Sequence, residues 1–351
     1  MLTIVGQCDQ RLFGMTPAER LSRQATDMEG LQLVAHASAV LSSDTIAWLA
    51  DHPGTVVTSA AGRPLAVAVK PTEVSVAERA LEGGGGVDLS TTCVTAIAPT
   101  YVKKLRRRLD PLAIALGEQP RSVVERRLFA SVYKGVTDVV TKYAWPEPAL
   151  WLTRAAAALG LSPNAVTFVG FVLTFVAGWQ FFVGNLAAGL AAAWLMTLLD
   201  TVDGKLARVT LTSSWLGNQL DHGNDIIHPP LWWYCLAQGI STASPGHPWV
   251  WPSCWIILVT YVIGRILERG FKKRFKINPF MWRPFDSRFR TIVSRRNIIL
   301  LIMTVGLIAG FPAEAFALCA AWSVLSVIIQ GARYAQAVGH SRSGAINAWL
   351  G

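Results

Sequence analysis

Four aspartates in a mostly apolar stretch are the residues whose types and spacing promise chemistry. The segment reads Asp200-Thr-Val-Asp203-Gly204-Lys-Leu-Ala207-Arg208, then eight residues, Gly217, three residues, Asp221, three residues and Asp225. At 100° per residue, Asp200 and Asp203 fall about 60° apart on one helix face, and Asp221 and Asp225 about 40° apart on another. A turn through 209–216 folds the second helix against the first, so that four carboxylates converge on one point. At membrane depth each carboxylate costs on the order of several kcal/mol, and four uncompensated ones cannot share a pocket. Hard divalent cations offset that cost, because oxygen ligands suit Mg²⁺ or Mn²⁺. Two such ions balance four negative charges and still attract phosphate oxygens. Gly204 and Gly217 leave room for a ligand or a neighbouring backbone, and Arg208 offers a planar, permanently charged fork to a phosphate.

The elements that must position these residues follow from composition. Of the 351 residues 52% are hydrophobic and only 15% charged, against roughly 25% charged in an ordinary soluble domain. The long apolar runs lie after about residue 150. Six of them approach the ~20 residues that cross a bilayer: Val166–Val183, Ala187–Leu199 with its extension, Leu220–Ile240, Val250–Leu267, Ile298–Gly310 and Ala313–Ala332. The links Gly184–Leu186, Ser241–Trp249 and Phe311–Pro312 contain no Lys or Arg, whereas the opposite side carries Lys205, Arg208 and the cluster from Arg265 to Arg296. The positive-inside rule then places the basic side, the acidic motif and both termini in the cytoplasm, with the protein multi-pass in the inner (cytoplasmic) membrane. The net charge of +10 is concentrated beside the apolar runs, which points to lipid head groups and phosphate ligands and away from nucleic acid.

Ahead of the spans, residues 1–118 alternate short strands (Leu2–Val5, Leu31–Ala35, Thr55–Thr58, Leu65–Val69) with helices (Pro17–Met28, Ser43–Asp51), a small α/β unit. Gly83–Gly86 reads as a loop or boundary. A basic juxtamembrane segment fills 119–160, where Val124, Leu128, Val132, Val136 and Val140 recur at helical spacing, so that Arg121–Lys142 is expected to form one amphipathic helix. The expected fold is therefore an all-α bundle of six transmembrane helices over 161–340, with an amphipathic juxtamembrane helix, behind a small cytoplasmic α/β domain. Five cysteines without paired spacing exclude a disulfide framework or zinc site. Met1–Gly14 lacks a basic start and apolar core, so no cleaved signal peptide is expected.

The arrangement D-x2-D-G-x2-A-R-x8-G-x3-D-x3-D resembles the signature of the CDP-alcohol phosphotransferases (CDP-alcohol phosphatidyltransferase class I), with every defined position present. The resemblance runs over roughly 120–337 and includes the six-span plan and the Ser162-Pro163-Asn164-Ala165-Val166-Thr167 lead-in to the first span. It implies transfer of a substituted phosphate from a CDP-alcohol, such as CDP-diacylglycerol, to an acceptor hydroxyl, with release of CMP. It implies metal ligation by Asp200, Asp203, Asp221 and Asp225, with Asp225 also the base. It further implies a CDP site of Gly204, Ala207, Arg208, Ser214 and Gly217 with Pro163, Asn164, Ala165 and Val166, and a homodimer. Arg295 and Arg296, at the start of the fifth span, face the same mouth and are candidates for holding an acidic acceptor, although topology and lipid contact explain most cations there. His222 and His228, beside the motif, read as packing residues.

The N-terminal region is similar in layout to the nucleotidyltransferase domain fused to this core in di-inositol-phosphate-phosphate synthases, through Leu12–Leu21 and the strand–helix order, but it lacks the glycine-rich nucleotide loop. It reads as degenerate. Two other functions compete: a bifunctional cytidylyltransferase/phosphotransferase making a soluble inositol phosphodiester, and an ion-coupled transporter. The second lacks two matching halves with Gly/Pro-broken helices.

Overall fold

A computed structural model describes the chain except residues 26, 27, 29 and 84–88, and except the side chains of residues 216, 218, 221 and 222. Most of the Gly83–Gly86 segment, and the side chains of Asp221 and His222, therefore lie outside the described residues. Two compact units result. The first comprises 1–133, 153–161 and 205–212; the second comprises 134–152, 162–204 and 213–351.

The first unit is built on β1 (Leu2–Val5), α1 (Pro17–Gln24), β2 (Gln32–His36), β3 (Ala39–Leu41), α2 (Ser43–Asp51), β4 (Thr55–Thr58), β5 (Pro64–Val69), α3 (Val74–Leu81), β6 (Ser90–Cys93), β7 (Thr100–Val102), β8 (Arg107–Leu109) and β9 (Ala113–Ala115). Five strands form a mixed sheet of order β1-β2-β5-β4-β6, parallel at β1/β2 and β4/β6 and antiparallel between. Leu33, Ala35, Leu65, Ala66 and Ala68 are buried with Leu21 of α1 and Leu49 of α2. Helix α1 starts on a capping box in which the Thr16 hydroxyl accepts from the Glu19 amide and the Glu19 carboxylate accepts from Thr16, the reciprocal pairing that satisfies two orphan donors. It ends at Gln24, short of the expected Met28.

The expected helix over Arg121–Lys142 is not continuous. Helix α4 covers Arg121–Ser131, the chain then leaves helical geometry, and a π-helical turn occupies Val140–Ala144 before α5 (Pro146–Ala158). Gly135 and the β-branched Val132, Val136, Thr137 and Val139 disfavour helix through the gap. Rather than showing an apolar stripe to a bilayer, α4 buries Val124, Leu128 and Phe129. Glu125 is buried with them between Arg121 at 3.0 Å and Arg154 at 2.8 Å.

The second unit holds α6 (Pro163–Phe182), most of α7 (Leu186–Val209), α8 (Trp215–Ala243), α9 (Val250–Phe275), α10 (Pro284–Phe289), α11 (Arg296–Ile308) and α12 (Pro312–His340). Four of these, α6, α7, α9 and α12, are long and apolar enough to cross a bilayer. Helix α11, at 13 residues, is shorter than a straight crossing, and α8 contains the side chains left undescribed. The core is formed by Phe181, Met196, Trp232, Trp233, Leu236, Leu300 and Phe316, while Phe168, Trp179, Ile266 and Ile328 point outward.

Helices α6 and α8 meet through a missing side chain. A Cβ at Gly239 would stand 1.9 Å from the Phe181 carbonyl oxygen and 3.1 Å from the Gly184 Cα. Neither neighbour is a flexible tip, so Gly239→Ala must push the helices apart. The expected result is destabilisation by about 3 kcal/mol, read as a lowered thermal midpoint in detergent.

Candidate active site

Helix α6 is launched by Ser162, whose hydroxyl accepts from the Ala165 amide at 3.2 Å, with Pro163 in the first turn. This start orients Asn164 and Thr167. The Thr167 hydroxyl donates to Asp203 Oδ2 at 2.6 Å, and Asp203 Oδ1 also accepts from the Gly204 amide. Asp203 is only 6% exposed. Asn164 Oδ1 accepts from the Ser214 hydroxyl at 2.8 Å. That hydroxyl is also the N-cap of α8, accepting from the Gly217 amide at 3.0 Å. A Cβ on Gly217 would lie 2.4 Å from Asn164 Oδ1, so any larger residue there must displace the Asn164 amide from its bond to Ser214. Asn164, Ser214 and Gly217, all expected in the CDP site, thus form one cluster. Ser214→Ala removes both bonds, and a loss of about 1 kcal/mol in thermal stability is expected from the cap alone.

Asp200 and Asp225 come from α7 and α8, and both face Arg296 at the first turn of α11. Arg296 reaches Asp200 Oδ2 at 2.7 Å and Asp225 Oδ1 at 3.4 Å. A third partner is His228 Nε2, at 3.4 Å. Because His228 Nδ1 lies 2.6 Å from the Asn224 carbonyl oxygen, which can only accept, Nδ1 carries the proton and Nε2 is left to accept from the guanidinium. The imidazole is neutral by geometry. Side-chain exposure separates the carboxylates: 22% for Asp200 and 49% for Asp225. Asp225 is open to an incoming ligand, whereas Asp203 is sealed.

The other expected site residues divide between the units. Ala207 and Arg208 belong to the first unit, where the Arg208 guanidinium donates to the Val132 carbonyl at 2.7 Å. Arg295 is turned to Glu268 of α9, which also pairs with Lys272 at 3.2 Å. Of the two arginines, then, only Arg296 faces the carboxylates.

All donors here are carboxylate oxygens, hard ligands that fit Mg²⁺ or Mn²⁺. Among the described residues no three His, Cys, Asp or Glu side chains form one group; Asp200 and Asp225 share Arg296, and Asp203 is held at Thr167.

Several supporting residues escape a reading of spacing alone. The Thr174 hydroxyl donates to Asn224 Oδ1 at 3.1 Å. Asp138, buried outside the spans, accepts from Asn297 Nδ2 at 2.9 Å and from the Thr141 amide at 3.0 Å, fixing the residue next to Arg296. Burial works to raise the Asp138 pKa, but the Arg290 charge and these hydrogen bonds outweigh it and hold the carboxyl below its ordinary value. The Arg295-Arg296-Asn297 triplet was the available signal for Asn297; Asp138 had none, because its stretch reads as part of a helix.

Comparison with known proteins agrees with the motif. Residues 160–330 match the family model described as CDP-alcohol phosphatidyltransferase. That match covers just under half of the chain, and four apolar helices of the chain are long enough to cross a membrane. Among curated proteins, archaetidylinositol phosphate synthase of Pyrococcus horikoshii is 37% identical over 76 residues, 21% of this chain and 40% of that protein. The chain therefore spans about two fifths of that relative's length. Among solved structures, the phosphatidylinositol phosphate synthase of Mycobacterium tuberculosis with CDP-DAG bound is 22% identical, with a TM-score of 0.42 over 52% of this chain and 91% of that one. The same protein in complex with manganese and citrate aligns at 22% identity and TM-score 0.42, over 52% of this chain and 87% of that one.

Proposed function

We propose that the chain transfers a substituted phosphate group from a CDP-alcohol to an acceptor hydroxyl and releases CMP, in phospholipid or polar phosphodiester synthesis. The observation that carries the reading is the meeting of Asp200 and Asp225, from two helices of the family segment, on one cation, with Asp225 half open. Asp200, Asp203, Asp221 and Asp225 would hold two Mg²⁺ or Mn²⁺ ions, whose bound charge would neutralise the diphosphate and ease departure of CMP. Asn164, Ser214 and Gly217, with Gly204 and the Pro163–Val166 backbone, would seat the cytidine phosphate, and Arg208 would serve its phosphates.

The chain's own chemistry is a single displacement. The acceptor oxygen attacks the phosphorus carrying the alcohol, the bond to the bridging oxygen breaks towards CMP, and the hydroxyl proton passes to Asp225. No covalent intermediate on the protein is needed. Arg296, held beside Asp225, would draw in an acidic acceptor. The donor is proposed to be lipid-linked, given the helices that surround the site. On the apolar runs the full reading has six spans, on the distribution of Lys and Arg the site and both termini are cytoplasmic, and the family resemblance alone adds a homodimer. The N-terminal α/β region takes no step in this reaction.

The curated relative makes an inositol phosphate product by name, so inositol phosphate heads the acceptor panel, with glycerol phosphate, serine and inositol beside it. CMP release from CDP-diacylglycerol by detergent-purified protein with Mn²⁺ or Mg²⁺ tests the proposal. Acceptor-dependent CMP is expected. If neither CDP-diacylglycerol nor soluble CDP-alcohols yield CMP with any acceptor, the reading fails.

A further inference from the structure

Helix α8 carries two consecutive prolines, Pro229 and Pro230, inside its length. A proline has no amide hydrogen and its ring crowds the carbonyl four residues earlier. In an α-helix the amides of residues 229 and 230 would bond the carbonyls of residues 225 and 226. The two prolines therefore release the main-chain oxygens of Asp225 and Ile226, and the first of these belongs to the residue assigned as the base.

Those two oxygens are taken up from the neighbouring helix. The Tyr261 hydroxyl of α9 lies 3.3 Å from both the Asp225 and the Ile226 carbonyl oxygens. Arg265 Nη2, one turn further along α9, donates to the Asp225 carbonyl at 3.2 Å. The two donors are linked, since the Arg265 guanidinium stacks over the Tyr261 ring at 5.1 Å from its centroid. Unsatisfied carbonyls inside an apolar bundle are costly, so this uptake is strongly favoured.

We infer that Tyr261 and Arg265 are positioning residues for Asp225: the diproline break transfers the hold on its backbone from α8 to α9, fixing the carboxylate at the mouth of the site. This rests on Asp225 acting as the base in the reaction proposed above. The side chain of Asp225 is half exposed and touches Arg296 at 3.4 Å, so its place depends on how firmly its main chain is held. A helix with ordinary residues at 229 and 230 would hold residue 225 by itself, and α9 would then be dispensable.

The test is a cycle of four full-length proteins: wild type, Tyr261→Phe, the double variant Pro229→Ala/Pro230→Ala, and the triple variant. Tyr261→Phe keeps the ring on which Arg265 stacks and removes only the hydroxyl. CMP release from CDP-diacylglycerol and thermal midpoint are measured for each. Tyr261→Phe is expected to lower kcat roughly tenfold with KM for CDP-diacylglycerol unchanged within about twofold, as for a displaced reacting group. In the double-alanine background, where the restored amides claim the same carbonyls, the hydroxyl's loss is expected to cost less than about twofold. Equal losses of kcat in the two backgrounds, or coupling seen in thermal midpoint with kcat untouched by Tyr261→Phe, overturn the inference. Should wild type release no CMP from any donor, the proposed reaction and the base assignment fail together. The thermal cycle then still shows whether α9 holds the freed carbonyls.

Discussion

Asp225→Asn is expected to lower CMP release by about 10³-fold or more, with helix content unchanged. Asparagine keeps the shape of aspartate and can still bond Arg296, so the loss isolates the charge and the proton-accepting oxygen. The Asp225 side chain is more open than that of Asp200, 49% against 22%, as a group that meets an incoming hydroxyl must be. Its partner Arg296 also pairs with Asp200, at 2.7 Å, and that pair does not involve the substituted group, so the fold is expected to survive while chemistry is removed. Steady-state CMP release with saturating donor, beside circular dichroism, reads the effect. Full turnover by this variant would show that another group takes the proton.

Asp203→Asn is expected to be nearly as damaging, by about 10²- to 10⁴-fold, through loss of bound cation rather than of a base. Asp203 is buried and accepts from Thr167 at 2.6 Å, so its carboxylate is fixed before any ligand arrives. Removing one negative charge from a hard-ligand set weakens a divalent cation more than it weakens the donor alone. Mn²⁺ binding measured by paramagnetic resonance should fall together with activity. Thr167→Val, which removes the hydroxyl that bonds Asp203 and also lies 3.0 Å from the Pro163 carbonyl oxygen, should cost about 10-fold to 100-fold, the usual toll of a lost orienting partner.

The sequence carried the secondary structure furthest where the physics is local. Ser42, the N-cap of α2, and the strands Leu2–Val5 and Thr55–Thr58 lie where composition places them. Helices α6 and α9 begin within a few residues of the expected spans because Ser162-Pro163 and the aromatic stretch around Trp249 mark their starts. The short strands β3, β7, β8 and β9, of three residues each, left no usable alternation. Helix over 132–139 failed because valines at helical spacing say nothing about whether the intervening Gly135 and Thr137 will break it.

The candidate site was legible in the sequence as a list of residues and less so as a geometry. The motif singles out Asp200, Asp203, Asp225 and Gly217 as candidates, and the resemblance adds Ser214, but spacing could not reveal that Arg296, some seventy residues on, pairs with Asp225. Such pairing is set by how α11 packs on α7 and α8, a tertiary outcome. Arg295 and Arg296 are adjacent and chemically alike, yet one is committed to Glu268 and the other to the carboxylates. What separates them is the start of α11: Arg295 is its extended N-cap, whereas Arg296 is its first helical residue. His228 became interpretable only once the Asn224 carbonyl fixed its tautomer.

The proposed reaction depends on acidic side chains that would hold divalent cations against a diphosphate. The most direct measurement is CMP release by purified protein stripped with chelator, then resupplied with Mn²⁺ or Mg²⁺. Activity should vanish on stripping and return on resupply. Turnover that continues undiminished in excess chelator would contradict it.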